Sequence, residues 1–225
     1  MEEKYRKIKG IVKKELSCSA HNVEHIMRVY NLCLHLAENE PDIDIDILKT
    51  AALLHDIGRV KEDEDDSGRI DHAILGTKMA EKILRNLGYE ESKIEKIKHC
   101  IMTHRFRSEN VPKTKEAKIL FDADKLDVLG SIGIARAFII AGQYGEKIYS
   151  DIPIDKYTKD NIVGEKQNGR IKDLSKHAVN LEFEMKFKHI PEKLYTKKAK
   201  EIAKQRFKFM KQFFKRLKRE INGEI

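Results

Sequence analysis

The segment from Ile47 to Leu54 most constrains this chain. Ile47, Leu48, Ala51, Ala52, Leu53 and Leu54 leave a helix almost no polar face, and the run leads straight into His55 and Asp56. A helix that is apolar nearly all round belongs in the middle of a core. An imidazole and a carboxylate are therefore carried inside with it. The helix is expected to reach about Ile57, with Gly58 as its stop.

Helical periodicity dominates the rest. At about 100° per residue, Val29, Leu32 and Leu36 share a face with His25 in a helix from about Ala20 to Glu38. His21 lies one turn earlier, near the polar boundary of that face. Asp44 or Asp46 can cap the Ile47 helix. A third helix is expected from about His72 to Leu87, with Met79, Ala80, Ile83 and Leu84 inward and Gly88 ending it. Ser92-x-x-Glu95 reads as a capping box for a fourth, whose inward stripe is Ile94, Ile97, Ile101 and His104. After Pro112 a fifth carries Ala117, Leu120, Phe121, Asp124 and Val128 on one face. Small residues from Gly130 to Gly142 suggest a close-packed sixth.

From 144 to 191 the pattern breaks into loops and short helical pieces, with a little strand expected around Leu181 to Phe187. Thr196 then caps a long closing helix with Ala199, Ile202, Ala203, Met210, Phe213 and Leu217 inward. The expected fold class is all-α: a single helical bundle with an irregular insertion before a long C-terminal helix. Its parts are a core over 1–145, the irregular segment 146–191, and the closing helix 192–225 packed on the same domain.

A chain of 225 residues, 40% apolar and 36% charged, can bury one substantial core and is not disordered. No apolar run approaches the roughly 20 residues of a membrane span, and the first residues lead into no signal-peptide core; the expected location is cytoplasmic. Cys18, Cys33 and Cys100 form no C-x-x-C pair, and Cys33 and Cys100 read as small buried hydrophobes. Abundant Lys, Glu and Ile with few Gln suggest a thermophile. The formal charge of +8 concentrates between Lys193 and Arg219, which suits nucleic acid or small anions such as nucleotides.

The chemistry lies in polar residues at interior positions. His25 sits among apolar neighbours, His55 and Asp56 end the most buried helix, and Asp124 lies on an apolar stripe. An unpartnered buried charge costs several kcal/mol, so such groups pair or bind a metal. Two imidazoles and two carboxylates can satisfy one another through one shared divalent cation, and a mixed N and O set suits first-row metals better than calcium. Asp122 projects away from the stripe that holds Asp124, which makes Asp124 the ligand and leaves Asp122 and Asp127 as supporting groups.

Three segments, H-N-V-E-H-I-M-R-V containing His25, L-L-H-D-I-G at Leu53–Gly58 and D-A-D-K-L-D at Asp122–Asp127, resemble in this order the HD-domain phosphohydrolase superfamily. The H…HD…D set falls on His25, His55, Asp56 and Asp124, and the likeness covers most of residues 15–145. The Lys197–Phe214 segment is similar to the closing helix of microbial HD hydrolases related to the nucleotide pyrophosphohydrolases.

The resemblance implies one divalent metal, commonly manganese, iron, nickel or cobalt, with magnesium able to accompany the substrate. It also implies a metal-activated water attacking phosphorus, with Asp56 as proton acceptor. The expected reaction converts a nucleoside or deoxynucleoside triphosphate to the monophosphate and pyrophosphate. Lys125, Arg59 and Lys61 are then the candidate phosphate cations. His72, in D-H-A-I-L-G, and His104, in H-C-I-M-T-H, resemble positions that complete a second metal site in some branches. The tandem histidine pair of the cyclic-dinucleotide branch is replaced here by Thr103-His104, so a catalytic or phosphate-binding role is the alternative. His35 and His99 fall on polar faces.

Other readings keep the same site. A monophosphatase or phosphodiesterase uses the same residues, a di-iron oxygenase needs more ligands, and a non-catalytic nucleotide- or nucleic-acid-binding module needs fewer. Nucleic acid is the less favoured partner, because Phe207, Phe209, Phe213 and Phe214 fall mostly inward and the lysines read as a solvated face. The 144–191 region and the closing helix could make a homodimer contact.

Overall fold

The structure, a computed structural model, describes residues 2–16, 23–65, 67–105, 110–165 and 169–225. Among the described residues it is all helical, with twelve α-helices, three 3-10 turns and no strand. Its contacts divide into two compact units, one ending at Asp127 and the other beginning at Val128. Among the described residues no single helix is long and apolar enough to cross a membrane.

The first unit holds α1 (Glu3–Glu15), α2 (Val23–Ala37), α3 (Ile45–Leu54), α4 (Arg59–Asp63), α5 (His72–Asn86), α6 (Glu91–Thr103) and α7 (Lys115–Asp127). Helix α3 lies at its centre, packed by α1, α2, α6 and α7, and seven of its ten residues are buried. That is the physical consequence of having no polar face. Asp44 caps α3, its carboxylate accepting from the amides of Asp46 (3.0 Å) and Ile47 (3.2 Å). Asp44→Ala is expected to lower stability by about 1 kcal/mol, read as a fall in the urea midpoint at unchanged slope.

Helix α1 lies outside the expected elements. Tyr5, Ile8 and Val12 turn one face inward, a stripe that interleaved lysines obscure in the sequence. It is clamped by Asp46, which accepts from Lys4 Nζ (2.6 Å), Tyr5 Oη (2.8 Å) and Lys93 Nζ (3.0 Å). Burial opposes this carboxylate, but those three donors hold its pKa down at about 2. The Ser92 capping box does not form: α6 starts at Glu91 from an N-cap Glu90 that makes no side-chain cap bond, which puts Ser92 two positions too far inside.

The second unit holds α8 (Gly130–Tyr144), α9 (Ile154–Asn161), α10 (Val179–Met185), α11 (Ile190–Lys193) and α12 (Lys197–Ile221). Helix α8 packs on α12 and α10, and Thr196 caps α12 through Ala199 N at 3.3 Å. The strand expected around Leu181 to Phe187 is instead α10 and a 3-10 turn. Alternate residues Leu181, Phe183 and Met185 are all buried because α10 is covered by α8, α9 and that turn, so burial alternates without a strand. A small core of Tyr157, Ile162, Ala178, Leu181 and Met185 supports it. Tyr157 Oη lies 2.7 Å from His177 Nδ1.

Candidate metal centre

Four helix ends and one helix interior deliver the polar groups. His25 comes from the first turn of α2, His55 and Asp56 from the turn that closes α3, and Asp124 from α7. His72 is the first residue of α5, and His104 is the C-cap of α6. His25, His55, Asp56, His72 and His104 are all buried, none more than 2% exposed.

His25 Nε2 lies 3.3 Å from His55 Nε2, 3.5 Å from Asp56 Oδ2 and 3.4 Å from Asp124 Oδ1. His55 Nε2 is 3.8 Å from Asp56 Oδ2 and 3.9 Å from Asp124 Oδ1. Ligands about 2.1 Å from a common cation stand about 3.0–3.5 Å apart, so these separations lie at or a few tenths of an ångström above what one ion requires.

The hydrogen bonds fix which nitrogen carries the proton. His25 Nδ1 faces Asp127 Oδ2 at 2.7 Å, and Asp127 is ion-paired with Arg28 (Nε to Oδ1, 2.7 Å). His55 Nδ1 faces the Ala52 carbonyl at 2.8 Å. Both partners can only accept, so both Nδ1 atoms donate, and the two Nε2 atoms face each other across 3.3 Å. Two ring nitrogens converging with two carboxylate oxygens make a donor set that one cation can join. Burial drives the His55 pKa down to about 4, keeping the ring neutral as a ligand must be. Asp127 supports His25, and Arg28 supports Asp127.

A second triangle shares Asp56. Asp56 Oδ1 lies 3.4 Å from His72 Nε2 and 3.3 Å from His104 Nε2, and the two nitrogens are 3.2 Å apart. These three residues, like His25, His55 and Asp56, could hold a metal ion. Asp56 Oδ1 is buried with no hydrogen-bond partner among the described residues. His104 Nδ1 donates to the Ile101 carbonyl (2.6 Å), and His72 Nδ1 donates to Glu62 Oε2 (2.7 Å). The triangle differs from the first in containing a fixed cation: Arg59 Nη2 donates to His72 Nε2 at 3.1 Å and stands 3.7 Å from Asp56 Oδ1.

The carboxylates are ionised throughout. Burial alone would raise Asp56 and Asp124, but it is outweighed chiefly by Arg59 at Asp56 and by Lys125 at Asp124, and both sit well below the usual range. Glu62 falls to about 2, since the His72 bond and neighbouring charges overcome its burial. His72 is lowered, burial outweighing Glu62 and Asp56.

The other expected residues divide. Lys125 Nζ is 2.5 Å from Asp124 Oδ2 and 5.3 Å from the centre of the Phe121 ring. Its ammonium is thus paired with Asp124. Arg59 is in place, with Nε buried and unpartnered among the described residues. Lys61 is exposed on α4 and makes no hydrogen bond or ion pair with a described residue. Asp122, expected off the stripe that holds Asp124, is fully buried, because α7 is covered by α2, α3 and α6. His99 accepts from Lys113 N at 3.0 Å, and His35 pairs with Glu38 at 3.1 Å. Cys33 and Cys100 are buried and their thiols pushed up, that of Cys100 to about 12. His21 and Cys18 lie outside the described residues.

Sequence reasoning missed Glu62 and Arg105. Glu62 orients His72 and accepts from Arg59 Nη1 (2.5 Å) and Arg105 Nη1 (2.8 Å). Arg105 also bonds Asp71 (2.5 Å), the carboxylate that caps α5 where His72 begins. Helix α4 is five residues long, too short to show a period.

The chain matches a known family. Residues 22–129 match the HD domain, and the chain belongs to the HD-domain superfamily of metal-dependent phosphohydrolases. Among its relatives is Bacillus subtilis YpgQ, 29% identical over 209 residues, which are 91% of this chain and 86% of that protein. The structure of YpgQ in complex with ADP superposes with a TM-score of 0.71 at 28% identity, covering 97% of this chain and 98% of that one. An HD-superfamily hydrolase from Bacillus thuringiensis gives 0.70 at 29% identity, covering 98% and 97%. The 3'-5' exoribonuclease YhaM of Bacillus pumilus is 28% identical over 140 residues, 56% of this chain and 44% of that protein.

Proposed function

We propose that this chain hydrolyses nucleoside or deoxynucleoside triphosphates to monophosphate and pyrophosphate, using one divalent cation held by His25, His55, Asp56 and Asp124. The observation that carries the reading is the pair of facing Nε2 atoms, 3.3 Å apart and closed in by two carboxylates. Manganese, iron, nickel or cobalt suits that donor set. When bound, the cation supplies Lewis-acid stabilisation of phosphoryl charge and lowers the pKa of attacking water.

The chain's own groups do the rest. Asp56, ionised and contributing one oxygen to each triangle, accepts the proton of the attacking water. Arg59 offers its unpaired Nε to a phosphate oxygen, and its fixed charge beside His72 and Asp56 favours an anion over a second cation in the second triangle. His72 and His104, whose Nε2 atoms lie 3.4 and 3.3 Å from Asp56 Oδ1, are the candidate catalytic groups there, able to take on the proton that Asp56 accepts. Lys125 keeps Asp124 ionised and can share its ammonium with a phosphate. Lys61 reaches only a substrate that extends to the surface. The nucleotide assignment draws support from the ADP complex of YpgQ.

A phosphodiesterase on the same residues is the second reading, favoured by the similarity to YhaM. A panel of mono-, di- and triphosphates and short oligonucleotides, run with manganese, cobalt, nickel and magnesium, separates the two. The expected products are a monophosphate and pyrophosphate in equal amounts, with EDTA abolishing turnover. Release of monophosphates from the oligonucleotides alone would replace the first reading by the second, and EDTA-resistant turnover would remove both.

A further inference from the structure

The second unit carries a groove of about 980 Å³ along α12, between that helix and the segments around Tyr149–Ile154 and Asn180–Glu184. Its floor is aromatic. Phe183 stacks on Phe207 with ring centres 5.7 Å apart and planes at 18°, and lies 4.6 Å from Phe214. Along one wall stand Lys204, Lys208, Lys211, Lys215 and Lys218, all exposed. Spacings of four, three, four and three residues keep these lysines on one helix face over about 21 Å. The opposite wall mixes Ile152, Ile154 and Leu181 with Ser150 and Asn180, which bond each other (2.9 and 2.8 Å), and with the acidic Asp151 and Glu184.

We propose that this groove binds single-stranded nucleic acid. A lone phosphate or nucleotide calls for convergent donors, whereas these five cations form a row with axial steps of about 4.5–6 Å, the pattern that a repeating anion fills. A hydrocarbon chain would use the floor but leave the row of lysines idle. Bases present apolar faces to an aromatic floor, while their phosphates follow the lysines. The sequence pattern favoured a solvated face because the phenylalanines fell inward. Phe214 is indeed buried, yet Phe207 is only partly covered and lines the groove, and Phe209 is 47% exposed.

The test is fluorescence anisotropy of a labelled 12-nucleotide RNA with the full chain in EDTA, so that the result does not depend on turnover at the HD site. Binding is expected with a log–log salt slope of about −3, from about −0.7 per lysine engaged. Lys208→Ala/Lys211→Ala/Lys215→Ala should weaken it about tenfold or more and flatten the slope by about 2. Helical circular dichroism should be unchanged, because alanine favours an exposed helix. Triple-variant affinity and slope equal to the parent's would overturn the proposal. So would displacement of the RNA by an equimolar acidic 12-residue peptide, or tighter binding to phosphatidylserine vesicles than to RNA.

Discussion

His55→Ala and Asp124→Ala are each expected to cut turnover about a thousandfold or more, the loss that follows when several kcal/mol of charge stabilisation leaves the transition state. The same variants should lose a response that owes nothing to turnover. A cation present at about a hundred times its dissociation constant stabilises the protein that binds it by about 2.7 kcal/mol. For a chain of this size that raises the melting temperature by about 5–10 °C. The parent should therefore melt higher in manganese than in EDTA, and neither variant should. His55 Nε2 and Asp124 Oδ1 both face His25 Nε2, at 3.3 and 3.4 Å, so removing either opens the cluster on a different side. A variant that keeps both the manganese-dependent rise and the parent's turnover would show that its side chain is no part of the cation site.

The sequence carried the interior positions of the site further than their partners. His55 and Asp56 could be placed inside because α3 has no polar face, and His25 because it shares a stripe with Val29 and Leu36. What fixes these rings was not readable. The bond from His25 to Asp127 spans 102 residues, and no helical period links α2 to the end of α7. Asp122 shows the same limit from the other side. A helical wheel gives direction but not cover, and α7 is covered on more than the face that carries Asp124.

Glu62, and the partners of Arg59, were hidden for a different reason. Glu62 and Arg59 lie on a single turn that follows a tight corner, where position is set by tertiary contact and not by repeat. Arg59 could be named as a cation near the site, but its bonds to both Glu62 and His72 depend on where α5 begins. That point is set by the Asp71 cap, whose carboxylate accepts from Ala73 N at 2.8 Å and Ile74 N at 3.2 Å. Helix α1 and the helical state of α10 were obscured by composition: lysines interrupt the first, and alternate buried residues imitate a strand in the second.

Gly58→Ala tests how the two triangles are held together. A Cβ on Gly58 would stand 2.6 Å from the His72 carbonyl oxygen, 2.9 Å from Gly76 N and 3.3 Å from Gly76 Cα. All three are backbone atoms of α5, which cannot rotate aside. The residue's φ of −89° is open to any amino acid, so the constraint is close approach and not conformation. Overpacking of this kind costs about 1–3 kcal/mol, or about 2–12 °C of melting temperature in a chain of this length. The protein can relieve the clash only by parting the His55–Gly58 turn from α5, which draws His72 away from Asp56. Turnover should then fall about tenfold or more even at temperatures where the variant is fully folded, since an ångström of misplacement is enough for that loss. Gly76→Ala supplies the contrast. Its Cβ would meet nothing nearer than 3.5 Å, and alanine favours a helix interior over glycine by about 0.5–1 kcal/mol. That variant should melt at or above the parent temperature with turnover intact. Equal behaviour of the two alanine variants would mean that the contact between the HD turn and α5 does not position the site.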